Sequence, residues 1–184
     1  MSARLLVVAL ALILPFSALA NLFTVGQRLP PVSVHDAGEV IASPGETGYR
    51  PWSSSGLTGR VRVVMHLAGR LSARDENAPL SAALAAAHLS STRFQTSIIV
   101  NADDAIPGSA VFVRASLRSA KRESPSTQFI IDNRGAVKRA WQLTPGSAAV
   151  VVVDSAGLIR FAKEGALTPA EINQVLSLLH QLLQ

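Results

Sequence analysis

The chain of 184 residues contains no cysteine. That absence excludes thiol nucleophiles, thiol–disulfide exchange, thiolate metal sites and disulfide staples. Aromatic residues make up only 5% of the chain, too few for a base-stacking platform. Neither sign of charge dominates: 17 Lys and Arg stand against 12 Asp and Glu. So mild a basic excess suits a solvated face better than a nucleic-acid protein. Past residue 20 charges or prolines interrupt every apolar run, and none reaches the roughly 20 residues that span a bilayer.

The chain opens with Arg4, an apolar run from Leu5 to Leu14, then Pro15 and Ser17-Ala18-Leu19-Ala20. A basic start, a short apolar core and small residues before the cut read as a secretory signal peptide, residues 1–20, cleaved after Ala20. An uncleaved anchor is the competing reading. Residues 21–184 then form a single domain, long enough to bury a real core.

Residues 21 to 59 are rich in Pro, Gly and Ser. Strand-like pieces at Val32–Val34 and Glu39–Ile41 flank His35-Asp36-Ala37-Gly38, which reads as a hairpin turn with Gly38 at positive φ. The stretch 43–59 reads as a polar connection whose Tyr49 and Trp52 pack back on the body. "RVRVVMHLA" (60–68) is a buried strand. Gly69 to Asn77 is polar, and Asn77 and Pro79 open a helix over 80–89. "FQTSIIV" (94–100) is the next strand. Ser109 then N-caps a helix with Arg114, Arg118, Lys121 and Arg122 on one side and Val113, Leu117 and Ala120 on the other.

"QFIIDNRGAVKRAWQL" (128–143) and "AVVVVDSAGLIRFA" (149–162) share Asp-x-x-Gly between apolar runs. Both read as strand–turn–strand units. In "LTPAEINQVLSLLHQLL" (167–183), Thr168, Pro169 and Glu171 make a capping box with proline at N1, and Ile172, Val175, Leu176, Leu179 and Leu183 form the buried stripe. A helix between the first two long strands requires them to be parallel.

This order, with the Gly26-x-x-x-Pro30 opening, resembles an extracytoplasmic thioredoxin-like fold. More narrowly, "AGRLSARDEN", "IVNADDAIPGSAVFVRASL", "QFIIDNRGAV", "AVVVVD" and "AKEGALTPAEI" resemble the YtfJ family of small bacterial periplasmic proteins. The resemblance implies an α/β, thioredoxin-like domain: a central mixed β-sheet flanked by helices and preceded by an N-terminal β-hairpin. It also implies a periplasmic location. In such folds the turn after the first long strand carries Cys-x-x-Cys, and a cis-proline faces it. Laid on this chain, those positions fall near Leu71-Ser72-Ala73-Arg74 and Ala148. Both halves of the redox site are missing.

A helix start with Arg70, Ser72 and Arg74 around it could still take an anion or an acidic peptide group; the plainer reading has these arginines solvating the turn and pairing with Asp75 and Glu76. Asp103 and Asp104 read as caps rather than cation ligands, because no EF-hand oxygens follow. With Ser109 they frame a cleft beside Arg70, on the resemblance alone. His66, Ser72 and Asp75 invite a hydrolase reading, but they lack a nucleophile elbow, and a satisfied, partly buried histidine is the plainer account. Asp132 and Asp154 are turn aspartates, and Trp52 and Trp141 are packing residues. No metal and no cofactor are expected. The expected function is a non-redox binding module for a periplasmic protein or a small acidic ligand, with an enzyme of cysteine-free chemistry as the alternative. No nucleic acid and, after leader removal, no membrane is expected as a partner.

Overall fold

The computed structural model describes residues 23–43 and 46–184. The expected leader, 1–20, lies outside them. Among the described residues no helix is long and apolar enough to cross a membrane.

Seven strands form one mixed sheet, ordered β2-β1-β5-β4-β3-β6-β7. They are β1 (Ser33–Ser43), β2 (Glu46–Ser53), β3 (Val61–Ala68), β4 (Phe94–Asn101), β5 (Gln128–Asp132), β6 (Ala148–Val153) and β7 (Ile159–Glu164). The helices are α1 (Leu71–Ala86), α2 (Ala110–Glu123), α3 (Ala136–Ala140) and α4 (Pro169–Leu182). Strands β3, β4 and β5 run parallel. β6 lies antiparallel to β3 and β7 to β6. β1 adds antiparallel to β5, completing the N-terminal β-hairpin with β2.

Burial explains the central strands. All eight residues of β3 are buried, as expected of a strand with neighbours on both sides and cover on both faces. Val63, Met65 and Leu67 face a cluster with Leu80 and Leu84 of α1 and Val175 and Leu179 of α4. Leu117 of α2 packs on Val100, Phe129 and Ile131 beside it. On the opposite face Val64, Ile99, Ile130 and Val151 meet Val137, Trp141, Trp52 and Leu57. Each such side chain contributes about 1.5–3 kcal/mol of transfer free energy. Trp141 is fully buried, and its indole N–H donates to the Pro30 carbonyl at 3.0 Å.

Several local expectations need correction. The stretch 33–43 is one strand, not two around a turn. Gly38 does have φ +81°, but in a bulge between Val34 and Glu39. A Cβ there would meet the Arg50 carbonyl oxygen at 2.2 Å, so the position needs glycine. The supposed polar connection contains β2, with Pro51 tolerated on an edge strand. Trp52 packs in the core, whereas Tyr49 stays exposed. Helix α1 begins at Leu71 and holds Pro79 in its interior. Asn77 is buried inside that helix rather than at its start, donating to the Ala73 carbonyl at 3.0 Å.

The two Asp-x-x-Gly units diverge. Residues 149–162 do form the β6–β7 hairpin, with Asp154 accepting from the Leu158 N–H at 2.9 Å. After Asp132 the chain instead enters α3. Asp132 accepts from the Arg134 and Val137 N–H groups at 3.3 and 2.8 Å, and Gly135 at φ +65° turns into the helix. The capping box of α4 is present as expected, with the Glu171 N–H donating to the Thr168 hydroxyl at 3.3 Å.

Candidate functional site

The C-terminal ends of β3, β4 and β5 converge where the chain stops adding strands on one side and returns beside β3. Crevices of open α/β sheets form at such an edge. Here β3 ends in Gly69, whose N–H donates to the Asn101 carbonyl at 2.8 Å, and the Ala68 N–H donates to the Ser147 carbonyl at 3.3 Å. The turn is thus clamped between the end of β4 and the start of β6. A Cβ on Gly69 would lie 2.9 Å from the Asn101 carbonyl oxygen and 3.0 Å from the Ala105 Cβ. Only glycine fits unchanged.

A knot of polar groups sits beneath this turn. Asn101 is fully buried; its amide nitrogen donates to Asp104 Oδ2 at 2.9 Å, and its oxygen accepts the Asp103 N–H at 3.1 Å. Asp104 Oδ1 accepts from Lys138 Nζ at 2.6 Å, and Oδ2 from the Gly146 N–H at 3.0 Å. Lys138 also reaches Asp103 at 3.1 Å. Arg70 Nε donates to the Asp104 backbone carbonyl at 2.7 Å. Burial opposes ionisation of Asp104, yet the hydrogen bonds from Lys138 and Gly146 hold its carboxyl below the usual range. The bond from Asp104 in turn raises the Lys138 ammonium.

His66 lies on the same edge, 1% exposed, and neither ring nitrogen has a hydrogen-bond partner. Burial lowers its pKa to about 4, against the pull of Asp132 and Asp104, so the imidazole is neutral at pH 7. The expectation of a satisfied, partly buried histidine is corrected on both counts. His66 alternates with Met65 and Leu67, whose side chains pack toward α1. It therefore points to the sheet face opposite Ser72 and Asp75, and the sheet separates the three members of the hydrolase reading.

The other sequence-predicted residues divide into two groups. Arg70, Asp103 and Asp104 come together. Ser72 and Arg74 stand exposed on the first turn of α1, and among the described residues neither Arg70 nor Arg74 pairs with a carboxylate such as Asp75 or Glu76. Ser109 occupies the N-cap position of α2, but its hydroxyl donates back to the Ile106 carbonyl at 2.6 Å and caps nothing. The cap at the end of β4 is Asn101, with Asp104 instead the partner of Lys138. Lys138 and Gly146 are the members that sequence reasoning did not assign to the site, nor did it give a role there to Asn101, the start of the expected cleft segment. The spacing of Val137 and Trp141, four apart and both fully buried, was the available signal for α3 and hence for Lys138. No group of three or more His, Asp or Glu among the described residues is placed to hold a metal ion.

A helix following the first parallel strand, a β6 start facing it, and flanking helices on both faces of a mixed sheet define a thioredoxin-like protein. Its first turn of α1 carries no sulfur. The same fold appears in the crystal structure of the thioredoxin domain of a thiol-disulfide oxidoreductase from Bacteroides vulgatus, at 15% identity and TM-score 0.54, over 85% of this chain and 99% of that one. The particular family is equally clear. The chain belongs to the bacterial proteins of unknown function described as YtfJ_HI0045, whose model matches residues 23–182. It is 47% identical to the uncharacterized protein YtfJ of Escherichia coli K12 over 184 residues, all of both chains. It is also 38% identical to an uncharacterized protein of Haemophilus influenzae over 182 residues, 99% of each.

Proposed function

We propose that this chain is an exported, periplasmic, cysteine-free thioredoxin-fold module that acts by contact rather than turnover. Its cleft lies between the turn Gly69–Asp75 and the segment Asn101–Ser109, and takes a protein or a small acidic ligand. One observation carries this reading. A single ammonium, Lys138, pairs with both Asp103 and Asp104 beneath the turn, which leaves Arg70 and Arg74 beside it without a carboxylate partner among the described residues. Guanidinium groups left without a carboxylate partner offer charge-assisted, bidentate hydrogen bonds to an anionic group.

The test is site-specific photocrosslinking from position 72 in cells exporting the protein, with and without the double substitution Arg70→Ala, Arg74→Ala. Adducts that disappear in the double variant are expected. Equal adduct yields in both would refute the role of the cleft. Sustained esterase or peroxidase turnover by the purified chain would refute action by contact alone.

A further inference from the structure

Beside the cleft, three large apolar side chains stand in water: Ile106 at 65% exposure, Val111 at 64% and Phe112 at 75%. They belong to the loop before α2 and its first turn, so they are neighbours rather than scattered residues, and such grouping marks an interaction site. The inward side of α2 is already used by Val113, Leu117 and Ala120 against the sheet. Val111 continues at helical spacing into Arg114 and Arg118, both half-buried, and the exposed Arg122. None of these arginines meets a carboxylate among the described residues. Arg114 donates to Asn133 Oδ1 and Arg122 to the Ser119 hydroxyl, each at 3.2 Å.

We infer that this α2 face docks an acidic protein segment that also carries large apolar residues, its carboxylates on the arginine row and its apolar side chains on Ile106, Val111 and Phe112. Charge complementarity selects this occupant. A second copy of the chain across a two-fold axis would set one arginine row against the other. An anionic membrane surface would call for an apolar stripe along the helix, whereas beyond Phe112 the outer side offers only Ala115, Ser116 and Ser119. The inference rests on the reading of the chain as a binding module, and it names the partner's chemistry and a surface adjoining the cleft through Ile106.

The experiment selects a displayed library of random linear peptides on the purified chain. Selected sequences should combine Asp or Glu with Phe, Leu or Trp. Their binding should weaken roughly tenfold with Phe112→Ser and with Arg118→Glu, and weaken with added salt. Both variants should keep the thermal midpoint of the parent. Selected peptides without acidic enrichment, or indifferent to both variants, overturn the inference. So does capture of the chain by phosphatidylglycerol vesicles through Phe112 in place of peptide, or a dimer in sedimentation that Phe112→Ser dissolves. Peptides sensitive to Arg70→Ala, Arg74→Ala but not to the α2 variants overturn it while leaving the cleft reading intact. The reverse pattern supports it and removes the cleft.

Discussion

Two regions separated by one loop treat their charges in opposite ways. At the edge of the parallel strands, Asp103, Asp104, Lys138, Asn101 and the Gly146 N–H satisfy one another within 3.1 Å. Along α2, the half-buried Arg114 and Arg118 and the exposed Arg122 have no carboxylate partner among the described residues. The difference follows from solvent. A charge withdrawn from water must be paired and hydrogen-bonded, whereas an exposed guanidinium keeps its hydration and gains little from a partner. The inner knot therefore holds the turn in place, and the α2 row is left without a carboxylate partner among the described residues.

The largest effect that could break this comparison is on the knot. Lys138→Met strands the Asp104 carboxylate, 9% exposed at its side chain, with only its neutral donors. A loss of about 3 to 4 kcal/mol in urea denaturation is expected. A loss below about 1 kcal/mol would mean the knot is not structural.

Next comes acid. The folded pKa of His66, about 4, lies below the unfolded value of roughly 6.5. The unfolded state thus binds more protons between these values, and stability falls as pH drops from 6.5 to 4. The slope reaches at most about 1.4 kcal/mol per pH unit, on the order of 3 kcal/mol in all. Asp104, with its depressed carboxyl, contributes stability that is present above the unfolded carboxylate range and lost as pH falls further. In pH-dependent denaturation His66→Leu should flatten the upper window alone. At pH 7 it should cost little, because both ring nitrogens already lack partners. An unchanged upper window would assign acid sensitivity elsewhere.

Gly69→Ala is smaller: its Cβ, 2.9 Å from a backbone oxygen, forces a shift costing about 1 to 2 kcal/mol. Smallest of all, Phe112→Ser and Arg118→Glu should leave stability within about 0.5 kcal/mol by the same measurement. A larger loss would make the α2 face structural and erase the contrast.

Much of the fold was legible in local pattern. The capping box at Thr168 and Glu171, the mostly apolar run of β3 and the inward Val113, Leu117 and Ala120 all follow from spacing and propensity. The misread places share a cause. Gly38 has the φ of a turn, but whether that geometry makes a hairpin or a bulge depends on the partner strand. Asp132 and Asp154 both accept backbone N–H groups just downstream of themselves. The chain beyond Asp154 alternates and pairs, whereas beyond Asp132 it buries Val137 and Trp141 four apart and turns helical. Pro79 reads as a start signal, yet α1 must begin directly after β3 to carry the chain back to β4.

The candidate site was legible only as far as Arg70, Asp103 and Asp104. Their partners Asn101, Lys138 and Gly146 come from three segments, and the pairing of Lys138 with Asp104 spans 34 residues. No local rule anticipates it.

By itself, the sequence determined which chemistry is impossible, since no thiolate can form without cysteine, and where most helices and strands lie, since those depend on spacing along the chain. Only the tertiary structure decided which charges are paired and which are left over. Pairing depends on which segments meet out of water, and that is a property of the packed sheet.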